Sequence, residues 1–368
     1  MKYAVVVCIL FLPVLIFAHS FTGTGQMEFA RQGHTATLLA DGNVLVTGGN
    51  NGAGTLANAE LYHPLAGTFT RTGDLVKART GHTATLLPTG KVLIAGGQNA
   101  TGALTSAEIF HPTTGIFTQT GSMTQARVGH TATLLANGKV LIAGGGSATA
   151  EVFDPTTSKF TAVSNMSTSR QGAAAILLAN GQVLVVGGHG FGKSLLGDLF
   201  NPATGTFRTT ANKGTQASYL TATMLQNGAV LLTGGGVAGP FCGFCAPPLV
   251  STSSALLFHS STASFSTTGS MYSRYFHTAT LLVGGEVLVT GGSHVTVLFC
   301  RGGCPVVRGT PLASAELYNP SSATFISTIN MTTARAMHTA TMLANGRVLV
   351  VGGADASGAT LSTAEIFQ

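Results

Sequence analysis

A pair of glycines recurs seven times along the chain, at Gly48-Gly49, Gly96-Gly97, Gly144-Gly145, Gly187-Gly188, Gly234-Gly235, Gly291-Gly292 and Gly352-Gly353. Each pair closes a short apolar run, such as Val92-Leu93-Ile94-Ala95. A Thr-rich segment, His82 to Leu87 in the second copy, precedes that run. Between the two lies a dipeptide such as Asp41-Gly42, Thr89-Gly90, Asn137-Gly138 or Asn345-Gly346. Dipeptides of this kind supply positive φ, so each copy is expected to turn through a two-residue hairpin loop. After the glycines come a variable loop, a segment like Ala107-Glu108-Ile109-Phe110, and a last one like Ile116-Phe117-Thr118. No helical period competes with this alternation. Each unit therefore reads as four short strands, and such units repeated every ~40–50 residues predict a β-propeller. One small sheet cannot bury both of its faces; stacking blades around an axis does so, and closing the ring protects the end blades.

Closure is legible as well. The seventh unit stops at Glu365-Ile366-Phe367-Gln368, one strand short. Ser20-Phe21-Thr22-Gly23-Thr24-Gly25-Gln26-Met27 matches Ile116-Phe117-Thr118-Gln119-Thr120-Gly121-Ser122-Met123, a fourth strand together with its exit segment. Phe21 is thus expected in the outer strand of the last blade. The expectation is an all-β, seven-bladed ring built as one domain over residues 19–368.

The chain resembles the kelch-repeat family, in particular its bacterial exported members. The Gly-Gly pair carries the resemblance, with the third-strand aromatic (Tyr62, Phe110, Phe153, Phe200, Phe258, Tyr318, Phe367) and a later aromatic (Phe69, Phe117, Phe160, Phe207, Phe265, Phe325). The later aromatic is Phe here, where the family usually has Trp. The resemblance implies a kelch-type propeller, a fold that hosts binding proteins, scaffolds and some oxidases.

Residues 1–18 read as a secretory signal: Lys2, an apolar run from Ala4 to Phe17, then Ala18-His19-Ser20. The run is too short for a membrane anchor. A secreted or periplasmic, monomeric protein without a membrane span is expected. Charged residues make up only 8% of the chain, against about 25% in an average soluble protein. The basic excess is 18 Lys and Arg over 12 Asp and Glu, with no basic run, which argues against a nucleic-acid partner. Cys8 falls in the signal; Cys242, Cys245, Cys300 and Cys304 remain, and in an oxidising compartment they are expected to form disulfides.

Repetition separates framework from site. Five histidines share one repeat position: His34, His82, His130, His277 and His338. Six arginines stand three residues earlier: Arg31, Arg79, Arg127, Arg170, Arg274 and Arg335. Six acids open the third strand: Glu60, Glu108, Glu151, Asp198, Glu316 and Glu365. Unit five alone lacks both Arg and acid, having Ala217 and Leu256 instead. Joint loss predicts one buried Arg–carboxylate pair per blade, since an unpaired buried charge is costly. No catalytic motif such as His-Glu-x-x-His or Gly-x-Ser-x-Gly occurs, and no catalytic residue, cofactor or metal is expected.

Symmetry breaks in units five and six, whose second-to-third-strand loops are enlarged. Those loops carry Phe241, Phe244, His294 and Arg301, while Tyr219, Tyr272 and Tyr275 fall on the loops leading into the same blades. Aromatics and Arg dominate binding hot spots. These seven residues are the expected contacts for a protein or carbohydrate ligand. The alternative is an oxidase resembling galactose oxidase, which implies a copper held by two Tyr and two His, with a Cys cross-linked to one Tyr. Tyr275, Tyr272, His277 and His294 would take those roles. The chain has no Trp to stack there, and its adjacent Tyr-His pair, Tyr62-His63, stands at the repeat position of the third strand rather than among these residues.

Overall fold

In a computed structural model, which describes residues 19–188, 196–239, 248–298 and 306–368, the chain is a seven-bladed β-propeller. Each blade is a four-stranded antiparallel sheet. Blade 1 comprises Thr35–Leu38, Val44–Thr47, Ala59–His63 and Thr68–Arg71, from the axis outward. The seven innermost strands neighbour one another in a closed circle, Thr339–Met342 of blade 7 meeting Thr35–Leu38 of blade 1. Blade 7 takes its outer strand from the other end of the chain. Phe21–Gly23 pairs with Ala364–Phe367, Phe21 opposite Phe367. Among the described residues no helix is long and apolar enough to cross a membrane.

The second strand of each blade is apolar throughout because neighbouring blades cover both of its faces. Val44 and Val46 face blade 7, packed with Leu349 and Val351, while Leu45 faces blade 2, packed with Val92 and Ile94. In each blade the third-strand aromatic meets the later Phe across the strands, as Phe110 meets Phe117 at 4.7 Å between ring centroids. Phe21 and Phe367 repeat that contact in blade 7 at 5.0 Å.

The hairpin turns differ from the two-residue loops expected. In each of the seven, the Gly N–H bonds the carbonyl three residues back, as Gly42 does to Leu39 at 3.0 Å. Only the glycine has positive φ, +85° at Gly42, and Asp41 does not. This is a type I turn followed by one left-handed residue, a three-residue connection that needs Gly only once. Thr89-Gly90 can therefore serve as well as Asn-Gly.

The Gly-Gly pair joins blade to blade. Gly49 N–H donates to the Arg79 carbonyl at 2.9 Å, and the equivalent bond recurs at all seven interfaces. A Cβ on Gly48, whose φ is +61°, would lie 2.5 Å from that carbonyl oxygen, so the close approach excludes any side chain.

Six blades hold a buried ion pair. Arg31–Glu60, Arg79–Glu108, Arg127–Glu151, Arg170–Asp198, Arg274–Glu316 and Arg335–Glu365 have N···O distances of 2.6–3.1 Å. The other terminal nitrogen of each Arg donates to the carbonyl of the first repeat glycine, at 2.6–2.9 Å. Blade 5 fills the same space with apolar atoms: Ala217 and Leu220 are buried in a cluster that Leu256 packs against.

Candidate functional site

The residue before each repeat histidine position has left-handed backbone in all seven blades. Four of these are glycines: Gly33, Gly81, Gly129 and Gly172, with φ of +62° to +66°. The other three are Tyr219, Phe276 and Met337, at +58°, +54° and +56°. Left-handed backbone costs an L-residue about 1–2 kcal/mol. Three adjacent blades thus hold a bulky side chain where the fold prefers glycine.

These seven residues encircle the axis at the mouth on the loop face. Six amide-to-carbonyl bonds of 2.6–3.2 Å link them blade to blade, for example Gly81 N to Gly33 O and Tyr219 N to Gly172 O. Between Tyr219 and Phe276 the corresponding bond is not formed among the described residues; there the two rings meet instead, 4.3 Å between centroids. The Tyr219 ring also lies across Gly172, where a Cβ would come within 2.7 Å of it. The Tyr275 ring meets the Phe276 ring as well, tilted at 40° with 4.5 Å between centroids. The ring encloses a cavity of about 490 Å³, with Tyr219, Phe276 and Met337 on one side and Thr80, Gln98 and Gln171 on the other. Among the described residues no Lys, Arg, Asp or Glu lines it.

The five repeat histidines border the same cavity, yet they serve the blade interfaces. Each Nε2 lies 3.0–3.3 Å from a Thr hydroxyl of the preceding blade: His34 to Thr339, His82 to Thr35, His130 to Thr83, His277 to Thr221 and His338 to Thr278. Burial, and next the adjacent Arg guanidinium, push His34, His130 and His277 down to about 3. His82 and His338 move in the same direction for the same reasons. All five are therefore neutral at physiological pH. Burial raises the Tyr219 and Tyr275 phenols above their ordinary value, so they too carry no charge.

The sequence-predicted contacts divide into two groups. Tyr219 and Tyr275 gather around Phe276 at the mouth. Tyr272 and His294 form a separate pair, 5.1 Å between ring centroids. There His294 Nδ1 lies 2.7 Å from the Ser273 hydroxyl. Two hairpins rise beside them, Gly236–Ala238 with Leu249–Ser251 and Ser293–Leu298 with Val306–Pro311, tied by Val295 N–H to Ser251 Oγ at 3.0 Å. Phe241, Phe244, Arg301 and all four cysteines, Cys242, Cys245, Cys300 and Cys304, lie outside the described residues. Sequence reasoning missed Phe276 and Met337. The available signal was their place in a column that is glycine in the first four units.

The residues assigned to a copper centre have other partners in this structure. His277 Nε2 is engaged by Thr233 and Thr221 at 3.1 and 3.3 Å, as its four counterparts are engaged by threonines. His294 is held by Ser273, Tyr272 packs tilted against His294, and Tyr275 packs tilted against Phe276. Among the described residues no three His, Cys, Asp or Glu side chains cluster as metal ligands.

No protein-family model matches the chain, and no curated protein matches it. Solved structures do. A fungal alcohol oxidase of the AA5 family, in complex with copper, superposes with a TM-score of 0.72 at 18% identity, over 94% of this chain and 76% of that one. The structure of YjhT matches with a TM-score of 0.58 at 13% identity, over 93% and 96%. The likeness is one of fold.

Proposed function

We propose that the chain is an exported kelch-repeat propeller that binds an uncharged glycan at the axial mouth. The observation that carries this reading is the left-handed Tyr219, Phe276 and Met337, strain retained in three adjacent blades around one cavity. Strain of this kind persists where the side chain has a use. The cavity is within the size range of small-ligand sites, about 300–1,000 Å³. Its aromatic side suits the C–H face of a sugar ring, and the amide and hydroxyl groups of Gln98, Gln171 and Thr80 suit its hydroxyls. With no charged lining group among the described residues, those residues offer an ionic ligand no counter-charge. A protein partner is the second occupant weighed, but a stable protein interface needs roughly 1,000 Å² or more of matched surface, whereas this site is a single concavity. Residues 1–18 are taken as the export signal on the pattern of their sequence.

The test is calorimetric titration with neutral oligosaccharides on the wild type and on Tyr219→Gly and Phe276→Gly. Glycine relieves the left-handed strain, which offsets the lost aromatic contact of about 0.5–1.5 kcal/mol. Each variant should therefore melt within a few degrees of the wild type while binding falls roughly tenfold or more. Undiminished binding in both variants, or no binding of any neutral glycan, would overturn the proposal.

A further inference from the structure

On the face opposite the axial mouth, blade 3 satisfies one of its own carboxylates. Asp154 accepts from Lys139 Nζ at 2.9 Å, from Thr156 N–H at 2.9 Å and from Thr156 Oγ–H at 2.6 Å. The Thr156 hydroxyl foremost, then Lys139, hold Asp154 below the usual carboxylate range.

Blade 2 repeats the donors without the acceptor. Its second and third strands pair in the same register, Val92 opposite Phe110 as Val140 is opposite Phe153. Lys91 therefore stands where blade 3 has Lys139, and His111-Pro112-Thr113 where it has Asp154-Pro155-Thr156. His111 is turned to the outer strand, its Nε2 2.9 Å from Thr118 Oγ1. In blade 1 the equivalent His63 makes that same bond to Thr70 at 2.8 Å, and its Nδ1 lies 3.0 Å from Asn43 Oδ1. An acceptor oxygen there makes Nδ1 the protonated nitrogen. Blade 2 has Lys91 at the Asn43 position, so the acceptor oxygen that His63 Nδ1 meets in blade 1 has no counterpart beside His111. Among the described residues Lys91 forms no ion pair, and neither Thr113 N–H, Thr113 Oγ nor His111 Nδ1 has a hydrogen-bond partner. A cavity of about 320 Å³ opens at these groups, walled on the far side by Leu39 and Asp41 of blade 1. The Asp41 carboxylate is committed to Asn43, accepting its N–H at 3.0 Å and its Nδ2–H at 2.8 Å.

We propose that Lys91, His111 and Thr113 bind a carboxylate group supplied by a ligand, in the position that Asp154 occupies within blade 3. Lys91 and Thr113 match the donors that already hold a carboxylate one blade away, and His111 stands in place of that carboxylate. Blade 2 combines them as no other blade does: blade 1 has Asn43 and Leu65 at the Lys and Thr positions, and blade 5 has Ala229 and Ser261. A small free acid and the side chain of an acidic peptide offer the same group.

The experiment is an amide NMR titration of the whole protein at constant ionic strength, with acetate, an N-acetyl-aspartyl amide, and sulfate. The Thr113 amide should shift saturably with both carboxylates. His111→Asp should abolish the response, because an attached carboxylate then fills the site. Asp154→His should create a second saturable response at Thr156. Saturation by the aspartyl amide at about tenfold lower concentration than acetate would mark a peptide source, and equal saturation a free acid; either supports the site. A Thr113 response that is linear, that survives His111→Asp, or that sulfate alone elicits would overturn it.

Discussion

Replacing Arg79 by alanine should destabilise the protein by about 3–5 kcal/mol, the usual consequence of removing one partner of a buried ion pair. Arg79 and Glu108 are 2.6 Å apart and almost wholly excluded from solvent, at 0% and 1% exposure. Burial lowers the Arg79 pKa and the Glu108 charge opposes that, so the pair survives as a pair. Without Arg79, Glu108 would keep only the N–H groups of Val76 and Lys77. The Gly96 carbonyl would lose the Arg79 donor as well, and the Ser106 carbonyl would keep only the Gly96 N–H. Blade 5 indicates how the loss can be repaired. There Ala217 and Leu256 stand at the two positions, and the space is filled by a hydrophobic cluster. Arg79→Ala combined with Glu108→Leu should accordingly recover a substantial part of the loss, since buried pairs exchanged whole for apolar groups are often neutral. Denaturant unfolding of the wild type, both single variants and the double variant measures the coupling. Additive losses, or an Arg79→Ala protein as stable as the wild type, would refute the account.

The same internal comparison explains how much the sequence disclosed. A repeated unit states its framework seven times, so strand order, ring closure through Phe21 and the Arg–acid partners could be aligned before any coordinate was known. Joint loss in unit five identified the partners because charge burial penalises losing only one of them. The axial site was less legible. Tyr275, Phe276 and His277 are consecutive, yet they face the Ser293 hairpin, Tyr219 and the Thr pair of blade 5 respectively. A left-handed residue reverses the usual alternation of side chains, and spacing along the chain does not reveal that. Tyr272 and Tyr219 looked alike as loop aromatics and proved to belong to different clusters. Met337 was hidden because methionine in a repeat suggests core, whereas here it is 37% exposed at the mouth. The blade 2 donors were invisible for a related reason: Lys91 and Thr113 are ordinary surface residues until the carboxylate of blade 3 shows what such a set can hold.

Acid should unfold the propeller from an unusually high pH. His34, His130 and His277 have folded-state pKa values of about 3, against an ordinary value of 6.5. Between those two values the unfolded chain binds protons that the folded chain refuses. Stability is therefore full above pH ~6.5 and falls as pH drops toward 3, each histidine shifting the folding equilibrium about tenfold per pH unit. Three such groups give on the order of a thousandfold per unit in the middle of that window, and His82 and His338 act in the same direction. Carboxylates in an unfolded chain titrate near pH 4, so the interval from about 6.5 to 5 isolates the histidines. Denaturant midpoints taken across that interval should fall steeply, and those of His34→Leu should fall less steeply by about one proton. The variant copies blade 5, where Leu220 fills the repeat histidine position against Ala174 of blade 4. Because Thr339 keeps its hydroxyl, some loss of stability at neutral pH is also expected, and only the slope tests the titration. A midpoint independent of pH from 7 to 5 would mean that these imidazoles are not held neutral between the blades.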